Sequence, residues 1–181
     1  MDEKWKKAVG ALEKGDFSRL EILLGGPLEF DKTIIGWYED GSFNDQRELL
    51  AEALTCACML GRVDAARFLL EKGVDPYAGM KTGSAGPHYA VGSGRLDVVQ
   101  MLIEKQIPLE VTNIYGGTVL GQALWSAVNE HKEASADIID ALIGAKAVVE
   151  SGSMEWWEKQ NIASAETKRR IADSLRKAET P

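Results

Sequence analysis

The feature that most constrains this chain is an internal repeat. Gly61-Arg62-Val63-Asp64 and Gly94-Arg95-Leu96-Asp97 carry one motif twice, 33 residues apart. A fixed period of that size points to a stack of small units, none of which can bury its apolar face alone. Each motif leads into the same ladder, Ala65, Ala66, Leu69 and Leu70 in one case, Val98, Val99, Leu102 and Ile103 in the other. Apolar residues at i, i+1, i+4 and i+5 lie on one helix face, so each motif opens an amphipathic helix. Asp64 and Asp97 fall in the first turn, where negative charge suits the helix dipole. Gly73 is expected to end the first helix as a left-handed cap; Gln106 holds that place in the second, with Pro108 as the stop.

The register extends in both directions. Ala85 maps by 33 onto Thr118, and Asp137-Ile138-Ile139-Asp140-Ala141-Leu142-Ile143 supplies a further ladder, 40 residues after Asp97. An insertion is therefore expected at about 128–134. Gly15-Asp16-Phe17-Ser18-Arg19-Leu20 fits the same template at the other end, which leaves extra residues within 25–46. In the tail, Ile171 and Leu175 continue the ladder at the 33-residue spacing. The reading is one domain over 1–181, with units at about 4–24, 47–79, 80–112 and 113–147 and a degenerate cap at 153–177. Stacking lays Leu23/Leu24, Leu69/Leu70, Leu102/Ile103 and Leu142/Ile143 into one core, and polar end units face water. Trp5, Trp156 and Trp157 are candidates to cover the core's ends.

A 33-residue unit of turn, short helix and longer helix, with Gly-x-x-Asp between the helices and Leu-Leu-Glu-Lys-Gly-x-Asp-Pro after the second, resembles the ankyrin repeat. Residues 54–78, LTCACMLGRVDAARFLLEKGVDPYA, carry the likeness best. The family's Thr-Pro-Leu-His opening is eroded to Ala85-Gly86-Pro87-His88 in one unit and Thr118-Val119-Leu120-Gly121 in the next. The resemblance implies an all-α helical-repeat solenoid of about five units, a structural role for His88, and a protein-binding concave face. Gly79 to Ser84 and Thr112 to Gly117 are Gly-rich turns expected to project as hairpin fingers.

Composition removes several function classes. The 181 residues carry 21 basic and 28 acidic side chains, a net charge of −7. An acidic chain without a clustered basic face is not built to grip nucleic acid. No apolar run approaches a membrane span, and the charged Met1 to Lys7 lacks a signal-peptide core, so a cytoplasmic protein is expected. Cys56 and Cys58, the two cysteines, are too few for a disulfide framework or a four-ligand zinc site, and their place on a first helix reads as packing. His88 and His131 lie in different units without partners for catalysis or metal binding. Gly83-Ser84-Ala85-Gly86 lacks the Lys-Ser/Thr of a phosphate cradle, and Lys168-Arg169-Arg170 reads as a solvated cap face. No catalytic site and no cofactor is expected.

What remains is a protein-binding surface. Carrying the family's finger and first-helix positions onto this register gives Lys81, Thr82, Ser84, Ile114 and Tyr115 on the fingers, and Met59, Leu60, Ser93, Trp125 and Ser126 on the helices. Tyr115 and Trp125 lead, because aromatic anchors dominate interface energies. The competing reading is that the insertions fold over this face and use Met59, Leu60 and Trp125 as their own core. Segment 25–46, read as a long loop, adds Trp37 and Tyr38 beside Glu39 and Asp40, an aromatic anchor ringed by acid. That segment alone carries −4, which makes it an expected steering surface for a basic protein partner. The expected molecule is thus a monomeric, non-catalytic interaction module. The alternatives are an immunity- or antitoxin-type inhibitor of a basic bacterial toxin and a scaffold subunit of a larger assembly.

Overall fold

The computed structural model describes residues 3–162 and 164–179, and among them every regular element is a helix. The order is α1 (Glu3–Leu12), α2 (Phe17–Leu24), α3 (Pro27–Glu39), α4 (Arg47–Leu60), α5 (Val63–Glu71), α6 (Gly86–Gly92), α7 (Leu96–Glu104), α8 (Val119–Asn129), α9 (Ser135–Gly144), α10 (Ser153–Glu158) and α11 (Ala165–Glu179). Three helix-turn-helix pairs, α4/α5, α6/α7 and α8/α9, form the regular stack. Their first helices pack side by side as an inner layer, and α3, α5, α7, α9 and α11 follow one another in an outer layer. This is the all-helical solenoid that the repeat implies.

The turns show why the repeat residues recur. Gly61 and Gly94 take φ of +75° and +70° at the corner between the paired helices, where a β-carbon is disfavoured. The chain then doubles back, the Arg62 N–H reaching Ala57 O and the Arg95 N–H reaching Ala90 O. At the far end of each second helix Gly73, Gln106 and Lys146 all adopt positive φ, at equivalent places. Leu69, Leu102, Ile139 and Leu142 are buried in one continuous core, and Ile171 and Leu175 of α11 extend it over α9. Each such side chain contributes about 2 kcal/mol of burial. Successive units are also tied by polar contacts: Lys105 to Glu71 at 2.6 Å, Arg95 Nε to Met59 O at 2.9 Å, and the Tyr77 hydroxyl to Pro108 O.

Segment 25–46 departs from expectation. It is not a long loop: Gly26 and Pro27 start α3, whose Phe30, Ile34 and Trp37, at i, i+4 and i+7, are buried. Helix α3 packs on α5 and takes the outer-layer place that α2 was expected to hold. Released from that place, α2 packs on α4, with Glu21 Oε1 2.5 Å from Arg62 Nη2, and the Phe17 ring meets Tyr89 of α6 edge-on at 5.9 Å. Helix α4 is consequently enclosed on all sides, every residue from Ala51 to Cys58 being buried. In the other insertion, α8 runs four residues further than the register of α6 implies, and the rest forms the 130–134 loop. Of the end-covering tryptophans, Trp5 packs against Trp37 and Phe43, and Trp157 is fully buried with its Nε1–H donating to Lys168 O at 3.0 Å. Trp156 is 39% exposed, its ring tilted against that of Trp157 at 6.4 Å.

Candidate protein-binding surface

The two fingers are held from below by buried polar groups. Thr55 Oγ1 donates to Gly79 O at 3.0 Å, and Glu52 Oε1 accepts the Lys81 N–H at 3.0 Å. A β-carbon on Gly79 would lie 2.5 Å from Ala51 O, so only glycine lets the finger root sit this close to α4. The next finger turns on Asn113, whose Oδ1 accepts the N–H groups of Tyr115 and Gly117, both at 3.0 Å. That Asx-type turn pushes Ile114 and Tyr115 to the tip, 65% and 80% exposed. The Ile114 N–H donates to Gly83 O at 3.1 Å and joins one finger to the next.

His88 anchors the second finger from inside. Its Nε2 lies 3.1 Å from Val111 O and 3.2 Å from Gly117 O, so Nε2 carries the proton and donates to both carbonyls. Its Nδ1 is buried with no partner. Burial lowers the imidazole pKa, against the pull of the two carbonyls, which favours the neutral ring. This is the structural role that the repeat resemblance implied. Cys56 and Cys58 are fully buried; burial raises the Cys56 thiol well above its ordinary range and pushes Cys58 up to about 12. Neither is poised as a nucleophile. Among the described residues no group of three or more His, Cys, Asp or Glu side chains is placed to hold a metal ion.

Between the fingers and the inner faces of α6 and α8 lies a groove of about 750 Å³. It brings together Thr82, Ser84, Ser93, Tyr115 and Trp125 from the expected set. Trp125, 49% exposed, stands where the register places Gly92 one unit earlier, and the missing side chain at Gly92 leaves the groove open beside it. Ser126 is buried beneath, accepting from Gln122 Nε2 at 3.2 Å. Ile114 and Lys81 are exposed on the finger tips.

Four expected residues are elsewhere. Met59 and Leu60 match Gly92 and Ser93 by register, but α2 packs on α4; Leu60 is buried and Met59 half-buried against the core. Trp37 is 8% exposed, its ring edge-on to Trp5 at 4.9 Å, so it is a core residue and not an exposed anchor. Tyr38 is half-buried between Phe68, at 5.3 Å, and Lys72 Nζ, 5.9 Å from its ring centre. Sequence reasoning missed Tyr89, Gln122 and Glu130, which also line the groove. The signal was available for two of them: Tyr89 and Gln122 are 33 residues apart and share the inner-face position next to Ser93 and Ser126.

A stack of helix pairs with projecting fingers and a groove on its inner layer defines a helical-repeat solenoid. Family models agree: one described as ankyrin repeats in three copies matches residues 10–114, and a second, ankyrin repeats in many copies, matches residues 88–143. The chain belongs to the ankyrin-repeat family. Comparison with curated proteins gives no match. Ankyrin repeats generally mediate protein–protein interaction, and proteins built from them are typically non-catalytic interaction modules. Among the described residues no helix is long and apolar enough to cross a membrane.

Proposed function

We propose that this chain is a non-catalytic binding module that engages a protein partner in the groove formed by α6, α8 and their fingers. The observation that carries the reading is the pair Tyr115 and Trp125, large apolar side chains left 80% and 49% exposed on one concave surface. Water exposure of aromatic surface at that scale is costly unless a partner covers it, and such residues are typical interface anchors. A net charge of −7 and a carboxylate, Glu130, on the groove wall favour a partner with a basic contact surface.

The test is affinity capture from cell extract with wild type, Tyr115→Ala/Trp125→Ala and a control, Ile22→Ala, which removes an exposed apolar side chain outside the groove. The double variant should lose a protein that the wild type and the control retain. Equal recovery by all three refutes the groove as the binding surface.

A further inference from the structure

The groove's hydrogen-bonding groups indicate what kind of side chain fits it. Its amides are already occupied by one another: Asn113 Oδ1 takes two backbone N–H groups, Asn113 Nδ2 donates to Gln122 Oε1 at 3.2 Å, and Gln122 Nε2 donates to Ser126 Oγ. Among the described residues that line the groove, none is Lys or Arg, and Glu130 is the one with a full charge. Lys132 Nζ stands 3.7 Å from Glu130 Oε2, with both side chains about two-fifths exposed, which is a weak solvent-screened pair and leaves the carboxylate available. The wall also holds His88, whose Nδ1 is an acceptor because Nε2 donates to two carbonyls, but that nitrogen is itself buried and does not open onto the groove. Three aromatic rings, Tyr89, Tyr115 and Trp125, share the lining with the hydroxyls of Thr82, Ser84 and Ser93. The unfilled charge of the groove is therefore anionic, its exposed rings are π-faced and its hydroxyls adapt to either role, so the complement is a cationic, donor-rich group.

We infer that this groove receives an arginine side chain of the partner, stacked on Trp125 and Tyr115 with its N–H groups directed at Glu130. Guanidinium is favoured over ammonium because it is planar, stacks on aromatic faces and is weakly hydrated, which matters in a groove that stays partly open. The inference deepens the protein-binding reading and rests on it.

The test uses the full chain and three short blocked peptides, Ser-Gly-X-Gly-Ser, with X arginine, its uncharged isostere citrulline, or lysine. Binding is followed by NMR shifts of the Trp125 indole and the amides of Tyr115 and Glu130. The arginine peptide should bind about tenfold more tightly than the citrulline peptide and measurably more tightly than the lysine peptide. Glu130→Gln should reduce that preference severalfold, and Trp125→Ala should abolish the shifts while core amides stay in place. Equal affinities for arginine and citrulline, equal affinities for arginine and lysine, or no shifts at these residues at millimolar peptide would each overturn the inference. Failure here while Tyr115→Ala/Trp125→Ala still loses its captured protein rejects the arginine assignment alone; loss of neither rejects the groove as well.

Discussion

Ala85 is the position where this protein's own repeat offers a better solution one unit away. Thr118 begins α8 with φ −69° and ψ 173°, and its hydroxyl accepts the Gly121 N–H at 3.1 Å. Ala85 begins α6 with a similar backbone, φ −89° and ψ 174°, and no side-chain cap. In Ala85→Ser the new hydroxyl would accept the His88 N–H, three residues on, and its proton would face His88 Nδ1, which is buried without a partner. Filling a vacant N-cap stabilises by about 1 kcal/mol. Pairing the buried nitrogen adds about 1 kcal/mol more. Ala85 is 0% exposed, so the added atom costs up to about 1 kcal/mol in crowding. The expected net gain of about 1 kcal/mol corresponds to a melting temperature about 3 °C higher for a chain of this length. Urea unfolding followed by circular dichroism measures it, the midpoint moving up with no change of slope. Ala85→Val, which adds bulk without a hydroxyl, should instead destabilise. A serine variant no more stable than wild type would refute the capping argument. A gain that persists undiminished in a His88→Ala background would refute the share assigned to the nitrogen.

Trp157→Ala and Trp37→Ala should each cost about 3–5 kcal/mol, because both rings are core residues, whereas Tyr115→Ala and Trp125→Ala should stay within about 1 kcal/mol of wild type; comparable losses in urea unfolding would contradict the assigned burial. Burial raises the Glu52 carboxyl above its ordinary pKa, and its Oε2 has no partner, so the ionised form is disfavoured in the fold. A raised folded pKa means stability that is full below the unfolded value near 4.5 and is lost as pH rises through the folded one. Glu52→Gln keeps an oxygen for the Lys81 N–H and should therefore be more stable than wild type at neutral pH, by about 1 kcal/mol, with the advantage vanishing toward pH 4.5; a difference independent of pH would refute this. Cys56 and Cys58 should react with iodoacetamide at neutral pH only at the rate of unfolding, so rapid stoichiometric labelling of the native chain would show that they are not enclosed.

The regular part of the fold was legible because the repeat writes one set of physical requirements several times over: a left-handed corner at Gly61 and Gly94, an acidic first turn, and a ladder such as Leu69 and Leu102. The fingers were legible for the same reason. What was not legible is the N-terminal arrangement, because Gly15 to Leu24 satisfies the repeat template as well as a true outer helix does. The decision lies in packing competition. Helix α3 buries Phe30, Ile34 and Trp37 against the core and packs beside α5, and α2, with Phe17, Leu20 and Leu24 buried, packs on α4. The i, i+4, i+7 spacing of Phe30, Ile34 and Trp37 was a helix signal within a segment read as a loop. Met59 and Leu60 stand at the register positions of Gly92 and Ser93, yet both pack into the core, which the local sequence does not reveal.

That rearrangement also changes what the acidity does. The −4 carried by segment 25–46 was read as a steering surface, but several of its carboxylates have local work in α3 and its cap. Glu29 pairs with Lys32 at 3.2 Å, and Asp40 accepts the Ser42 N–H at 2.9 Å. Asp31 is half-buried, its carboxyl raised by that burial and by nearby Asp64, with Arg62 pulling the other way. These groups belong to the outer layer beside α5, whereas the groove opens on α6 and α8 of the inner layer. Salt screens exposed charges with a decay length of about 8 Å at physiological ionic strength. In the proposed binding mode, charge selectivity at the groove rests first on the carboxylate on its own wall, Glu130.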